Sequence, residues 1–431
     1  MIINNQSKQN YFSKLAVYSI ILFIFPYRLA AAELITPGER LSPSKVVEIA
    51  IKMHPQLLSA RNTVDVAKSR IGQARAGYFP QINLTAGMSR NTSPILPDSY
   101  NQYSQSLSLN QNIYDFNRVS TKVNIQNINL DAARADLNNV ISNIILGVKQ
   151  AYYEVLRARR ARDISVETVR QFEEQLAKAK GFYEVGTKPV FDVTTAEVNL
   201  GNAQVNLLKA ENAVTLAFVI LNNAMGMPAA PPYELEDVTV LEKSQLDLKA
   251  ALTKAFQARE DLQSLIKQKE SAQKAIELAQ KDYLPVLTGN ANYGWSGEEF
   301  PLQRGWNIGA TLNFNLFGGF LTKYQVSQAM ASYEVSKTAE ETLRQTIRLE
   351  VEQAHANIQT AEKSIEAAQI TVRQAEENIE LAQGRYAAGI GVPLELTTAV
   401  VALGNAKLAL SGAIYDRKEA EASLQMAMGE R

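Results

Sequence analysis

A stretch of 21 residues occurs twice in this chain of 431, first at 183–203 and again, 203 residues later, at 386–406. Ten of the 21 positions are identical, including Tyr183 and Tyr386 at the start and an LGNA block at the end. Each copy has a glycine- and proline-containing break between two long helical patterns, so each is predicted to be the tip of a helical hairpin. Any fold for this chain must therefore hold two equivalent hairpins.

The first 32 residues carry the pattern of a secretory signal peptide. Lys8 and Lys14 precede an apolar run from Leu15 to Phe25, and small residues ending at Ala32 offer a cleavage site. The run is shorter than the roughly 20 residues that a membrane-spanning helix needs. We therefore expect residues 1–32 to be removed on export. The chain contains no cysteine, so neither a disulfide nor a lipid anchor on cysteine is expected.

Two repeats, 33–225 and 248–431, are predicted after this leader, with a proline-bearing linker at 226–247 between them. In each repeat the apolar residues recur at helical spacing, then alternate with a period of two, and then return to helical spacing. The predicted order is a helix, two strands, a long helix, the tip and a return helix. His54-Pro55 breaks or kinks the first helix, whereas the segment at about 246–282 is predicted as one helix.

The long helix of each repeat constrains the architecture most. It is expected from about Arg118 to Phe182 and again from about Leu321 to Tyr386. At 1.5 Å per residue the first would be roughly 95 Å long, more than a globular domain can cover. Many heptads offer only alanine or a polar residue where a solid coiled coil wants bulky side chains. The pattern therefore favours a hollow wall of helices.

Four strands are predicted, at about 81–90, 103–113, 286–296 and 306–316. One face of each is apolar, and the other carries Ser, Thr, Asn and Gly without charge. Such alternation over roughly ten residues is typical of a transmembrane β-barrel with its apolar face outward. A sheet covered on one side would alternate similarly, but the helices continue the strands nearly in line and leave no separate covering layer. No stretch after the leader is continuously apolar for 18 residues, so a membrane-spanning part is expected to use strands.

Four strands are too few to close a barrel across a bilayer, because the smallest such barrels have about eight. Unpaired strand edges are not tolerated in lipid. The chain is therefore expected to oligomerise, with each subunit giving four strands to a shared barrel. The residues alone leave a dimer, a trimer and a tetramer open.

The chain resembles the TolC family of bacterial outer-membrane efflux proteins over essentially its whole mature length. The resemblance is carried by the two tips, by the helix-to-strand junctions at Pro80 and Pro285, and by turns such as Gly318-Gly319. It implies an α+β membrane protein: a homotrimer with a twelve-stranded β-barrel in the outer membrane, continuous with a long α-helical barrel in the periplasm. It also implies two partners, a periplasmic adaptor protein and an inner-membrane pump driven by protons or by ATP.

The resemblance further implies roles for residues at the tips. The pore entrance would be lined by Asp192, Thr195, Glu395 and Thr398. The tunnel would be held shut by a link between Tyr386 and Asp192, and three copies of Glu395 would form a negative ring. Adaptor contact would use Tyr183, Gly186, Tyr386 and Gly389.

Two departures from the family pattern weaken the expected gating. Thr398 stands where a second acidic residue is familiar, and Gly391 stands where the tip has an arginine. A second interpretation of Asp192 and Glu395 is that they only complement the first turn of the return helix. The two roles are compatible.

No catalytic constellation or cofactor motif is recognisable. The two histidines, His54 and His355, lie in separate helices, and no phosphate-binding loop occurs. The balance of 44 basic and 44 acidic residues does not favour nucleic acid as a partner. The predicted function is a passive, non-enzymatic exit duct for efflux or type I secretion, embedded in outer-membrane lipid. The alternative is a membrane-anchored coiled-coil protein with a structural or adhesive role and no pore.

Overall fold

The computed structural model describes residues 35–92, 99–237 and 247–430, so the predicted leader at 1–32 lies outside the described residues. The elements, in chain order, are β1 (Arg40–Leu41), α1 (Pro43–Met53), α2 (Pro55–Arg75), β2 (Gln81–Asn91), β3 (Tyr100–Tyr114), α3 (Arg118–Glu184), α4 (Val190–Ala224), β4 (Glu234–Leu235), α5 (Leu248–Ala258), α6 (Glu260–Gln280), β5 (Val286–Gly297), β6 (Gln303–Asn313), α7 (Leu321–Ala387) and α8 (Pro393–Ala427).

The two repeats carry the same long elements. The long helices α3 and α7 have 67 residues each, and the return helices α4 and α8 have 35 each. The long helices end where Gly186 and Gly389 take left-handed φ angles of 73° and 78°. In the first tip the Gly186 N–H donates to the Tyr183 carbonyl, which satisfies part of the helix end. Glycine adopts this conformation without a steric penalty, so the glycine of each tip is what lets the chain reverse.

The central sheet is antiparallel, in the order β2-β3-β5-β6. The strand expected at 306–316 is instead β6, which stops at Asn313. Asn313 pairs with Val286, the first residue of β5, and the preceding Pro285 has no N–H with which to extend the ladder. Large apolar side chains such as Leu84, Trp306 and Ile308 are exposed on one face. Among the described residues β2 and β6 each have one unpaired edge.

The helices form a single layer. Towards the tips the order of neighbours is α4, α3, α8, α7, and towards the strands it is α2, α3, α6, α7. The layer therefore has α2 and α4 along one margin and α7 along the other. The strands follow the same order, with β2 and β6 at the margins.

The return helices bear on the expectation that any membrane-spanning part of this chain uses strands. Although neither is continuously apolar, α4 and α8 are each long and apolar enough to cross a membrane by length and composition. Both run alongside the charge-bearing helices α3 and α7 as members of the same layer. We therefore assign both return helices to the helical layer.

A small unpredicted sheet joins the lead-in to the linker halfway along the wall. β1 and β4 pair in parallel, with Leu41 opposite Leu235. The buried Tyr152 hydroxyl of α3 lies 3.0 Å from the Leu41 carbonyl oxygen and 2.6 Å from that of Glu236, so it donates to this pair of segments. Tyr152 thus fastens both irregular segments to the middle of the longest helix.

The segment predicted as one helix at about 246–282 is in fact broken at Arg259, between α5 and α6. Arg259 has extended backbone, and its guanidinium pairs with Asp261 and Glu350. Gly429 lies against this break with φ of 77°, and a Cβ there would stand 2.7 Å from the carbonyl carbon of Ala258. Gly226 lies likewise against the break at His54 in the first repeat. Each repeat ends with a glycine packed against a helix break.

Replacing Gly226 or Gly429 with alanine should destabilise the fold by about 1–3 kcal/mol, because the new methyl group meets backbone atoms and φ is positive. Thermal unfolding in detergent would measure the loss. Gly412→Ala is the matched control, since no atom lies within 4 Å of a Cβ there and alanine suits a helix interior. Equal melting temperatures for Gly429→Ala and Gly412→Ala would contradict the packing described.

Candidate functional site

The two tips lie against each other within one subunit. The Lys188 ammonium of the first tip donates to the Gly391 carbonyl of the second at 3.5 Å. It also stands 5.9 Å from the centre of the Tyr386 ring. The Phe182 ring meets the Tyr386 ring edge-on, with centroids 5.7 Å apart. The aromatic ring of the second tip is thereby enclosed by residues of the first.

Tyr386 and Asp192, the predicted link, are brought close together. Tyr386 is only 1% exposed, and Asp192 is also buried. Burial raises the pKa of the Tyr386 hydroxyl, and the nearby Asp192 charge raises it further. The hydroxyl makes no hydrogen bond with any described residue. In this subunit the contact between the tips therefore rests on the ring of Tyr386 rather than on its hydroxyl.

Glu395 has a partner that the sequence reasoning missed. The Arg385 guanidinium lies 3.2 Å from its carboxylate, across the second hairpin. Both side chains are about half exposed. Glu395 also stands in the first turn of α8, where a negative charge complements the helix dipole. The only available signal was that Arg385 directly precedes the tip tyrosine.

The hydroxyls of Thr195 and Thr398 each donate to a carbonyl one turn back in their own helix, at 2.8 Å. The threonine that joins helices is Thr397. Its hydroxyl oxygen accepts from the Gln175 amide of α3 and from the Asn199 amide of α4, each at 3.1 Å. This three-helix contact was not predicted. The sign of this contact in the sequence was the TTA run, which occurs in both copies of the repeated stretch.

The residues predicted to meet an adaptor differ in accessibility. Tyr183 is 50% exposed, whereas its counterpart Tyr386 is enclosed. Gly186 and Gly389 have no atom within 4 Å of the position of a Cβ. The tip glycines and Tyr183 are therefore accessible on a single subunit, and the ring of Tyr386 is not.

Where helices meet strands, the two repeats hold each other. The Arg118 guanidinium, at the start of α3, donates to the carbonyls of Lys281 and Leu284 at 2.6 and 2.7 Å. In return the Lys281 ammonium donates to the Thr121 hydroxyl at 2.5 Å. Lys281 and Leu284 lie four residues and one residue before Pro285, so this junction is tied to the opposite repeat.

The turn into α7 contains two glycines, of which Gly319 has a left-handed backbone. Gly319 has φ of 63°, and a Cβ on Gly318 would stand 2.8 Å from the Asn315 side chain. In the first repeat Pro80 ends the helical part and β2 begins at the next residue.

The described residues contain no group of three or more His, Cys, Asp or Glu side chains placed to hold a metal ion. The His54 ring nitrogen Nδ1 accepts the Gln56 N–H at 3.2 Å and caps α2. That contact gives His54 a structural role.

Known proteins resemble this chain in sequence and in fold. A family model described as outer membrane efflux protein matches residues 46–227 and 251–430. Outer membrane protein TolC of Vibrio cholerae serotype O1 is 27% identical over 395 residues, covering 87% of each chain. CusC, solved in work on its transmembrane channel formation, superposes with a TM-score of 0.81 at 18% identity, covering 96% of each chain. The Campylobacter jejuni CmeC outer membrane channel gives 0.79 at 17% identity, over 90% of this chain and 85% of that one.

Tyr386→Phe and Tyr386→Ala separate the roles of ring and hydroxyl. The phenylalanine variant should keep nearly full stability, because a buried hydroxyl without a partner contributes little. The alanine variant should lose about 3–5 kcal/mol, as for other buried aromatic rings. Thermal unfolding and protease sensitivity of the tips would report both. Loosened tips in Tyr386→Phe would show instead that the hydroxyl bonds to Asp192.

Proposed function

This chain belongs to the outer membrane efflux protein family, and we propose that it is the passive exit duct of a three-part transport system. It lies in the outer membrane with its helical part in the periplasm, as its relatives do. The observation that carries the proposal is the sheet. Its apolar face is exposed, two strand edges are open among the described residues, and a single layer of helices continues it.

Closure of the sheet into a ring accounts for the open edges. Lipid offers no hydrogen bonds to backbone groups, so β6 of one copy must pair with β2 of the next. Two copies would give eight strands, an interior just wide enough to be filled by side chains. Three copies give twelve strands, which leave room for a channel. The family resemblance also favours the trimer.

The polar face of the sheet suits an exit channel. The pairing register aligns Asn83, Ser108, Asn292 and Asn307 in one row. The next row contains Thr85, Ser106, Gly294 and Gly305. These rows carry hydroxyl and amide groups and no charge. A lumen lined in this way would be wet and would not hold a charged substrate tightly.

The tips form the proposed entrance. The Lys188–Tyr386 contact holds the two hairpins of each subunit together, and the Arg385–Glu395 pair bridges the two helices of the second hairpin. The chain contains no nucleotide-binding motif, so the energy for transport would come from an inner-membrane pump. The open tip glycines Gly186 and Gly389 offer the surface for the periplasmic adaptor.

The purified protein should conduct ions across a planar lipid bilayer, with small conductance in the native form. Tyr386→Ala should increase the conductance, because it removes the ring that Phe182 and Lys188 enclose. Tyr324→Ala is the control, since Tyr324 is an exposed tyrosine at the other end of the same helix. Absence of conductance in all three proteins would contradict the duct and support a coiled-coil protein without a pore.

Arg385→Ala and Glu395→Ala should change block by multivalent cations in opposite directions. Loss of Glu395 removes carboxylates from the entrance and weakens the block. Loss of Arg385 leaves those carboxylates without their counter-charge and strengthens it several-fold. Titration of a trivalent cation during bilayer recording measures both effects. Unchanged block in both variants would remove Glu395 from the pore.

A further inference from the structure

Two crossings define the joint between α3 and α8 inside the subunit. At the first, the Gln175 amide donates to the Thr397 hydroxyl at 3.1 Å, and Gln175 is only 2% exposed. At the second, Gly404 lies against the Thr168 side chain, because a Cβ on Gly404 would stand 3.4 Å from the Thr168 hydroxyl oxygen. Near the tips the register of the joint is therefore marked by one amide-to-hydroxyl bond and one glycine.

The residues of both crossings recur 203 positions away, on the helices at the two margins of the layer. Thr168 and Gln175 of α3 correspond to Thr371 and Asn378 of α7. Thr397 and Gly404 of α8 correspond to Thr194 and Gly201 of α4. Three of the four residues are identical in the two sets, and the fourth remains an amide. All four counterparts are exposed in the single subunit.

The face of α4 that carries Thr194 and Gly201 is not covered by any described residue. Thr194, Val198, Gly201, Val205 and Leu208 follow one another at spacings of three and four, and all are exposed. Leu208 is 64% exposed, whereas its counterpart Ser411 in α8 is 7% exposed. An apolar strip at heptad spacing on a marginal helix is the pattern of an unfilled helix-packing seam.

The order of the helices indicates what fills the seam. Inside the subunit a return helix, α8, lies on a long helix, α3. When copies join margin to margin, the return helix α4 of one meets the long helix α7 of the next. The joint between subunits is then formed by a return helix and a long helix, as is the joint within one subunit.

We propose that α4 of one subunit packs on α7 of its neighbour in the register of the α3–α8 joint. Asn378 of the neighbour then donates to the Thr194 hydroxyl, and Thr371 of the neighbour lies against Gly201. This inference rests on the closed ring of the proposed function and adds its residue pairing. The margins of the sheet and of the helical layer coincide, so one contact between copies closes both.

The same register accounts for the exposed tip tyrosine. Inside the subunit Tyr386 is enclosed by Phe182 and by the nearby Asp192. The residues 203 positions after these two are Arg385 and Glu395. Tyr183 of one subunit therefore covers the Arg385–Glu395 pair of its neighbour, where the cation can lie on the ring. The entrance then consists of two alternating tip contacts, one within each subunit and one between subunits.

The two joints differ in charge. Within the subunit Lys407 pairs with Glu167 at 2.9 Å, and Arg157 pairs with Asp416 at 2.7 Å. The counterparts of the first pair in the joint between subunits are Gln204 and Ile370. Those of the second are Thr360 and Ala213. The joint between subunits is therefore held by apolar and amide contacts, in place of these ion pairs.

Disulfide trapping tests the register, and the chain contains no native cysteine to interfere. Thr371→Cys with Gly201→Cys should give a disulfide between subunits, seen as covalent dimers and trimers on a denaturing gel. Thr168→Cys with Gly404→Cys is the control within the subunit and should oxidise without changing the size. Thr371→Cys with Leu208→Cys shifts the pairing by one heptad, about 10 Å along the helix, which is beyond disulfide reach.

The outcomes distinguish failure of the proposed register from failure of the proposed duct. An oligomeric preparation in which the control bond forms, but Thr371→Cys with Gly201→Cys gives no covalent dimer, overturns the register and leaves the duct standing. Covalent dimers from the Leu208→Cys pair alone also overturn it. A protein that is monomeric before oxidation contradicts both the ring and the register.

Gly201→Leu tests the close approach without cysteine. No atom of the subunit lies within 4 Å of a Cβ at Gly201, so the subunit should fold normally. The oligomer should dissociate at a lower temperature or detergent concentration than the native protein. Gly412→Leu, at a second open glycine in the other return helix, is the control. An oligomer of unchanged stability in Gly201→Leu would overturn the proposed contact.

Discussion

The backbone of a strand in lipid must find every hydrogen bond within protein, and the architecture follows from that requirement. One chain supplies four strands and leaves two edges open among the described residues. The helices repeat the arrangement, with α7 at one margin and α2 and α4 at the other. In the proposed ring each chain is therefore one segment of the wall. Its sequence then has to encode a joint with another copy of itself as well as its own interior.

Local patterns predicted most of the regular structure, because a period of two or 3.6 residues is visible in any short window. The break at Arg259 was missed since it depends on Gly429, which meets it from the far end of the repeat. The short sheet at Leu41 and Leu235 was missed because two-residue strands leave no periodic trace. Of the tip residues, the proximity of Tyr386 to Asp192 was expected only from the family resemblance. Thr397 was missed because its partner Gln175 is 222 residues away in sequence.

The two hairpins of the repeat have different surroundings. Tyr386 is enclosed by its own subunit, whereas Tyr183 lies open. The ion pair Lys407–Glu167 joins α8 to α3, whereas the counterparts of these two residues in the other repeat half, Gln204 and Ile370, carry no charge. The residues that are identical in the two repeats are those that a return helix and a long helix need in order to pack. The residues that differ reflect the different neighbours of the two pairs of helices.

The attachment of Tyr152 to the lead-in and linker has a mechanical consequence. Its hydroxyl fixes α3 to both segments, and the junction beyond is fixed by Arg118. From Tyr152 to the last residue of α3 the helix extends about 48 Å towards the tips. Tilting this arm by about five degrees would displace the tip by about 4 Å, from the same rise per residue. In the proposed ring, a small rotation about the attached middle of the helical layer would widen the opening at the tips and leave the sheet in place.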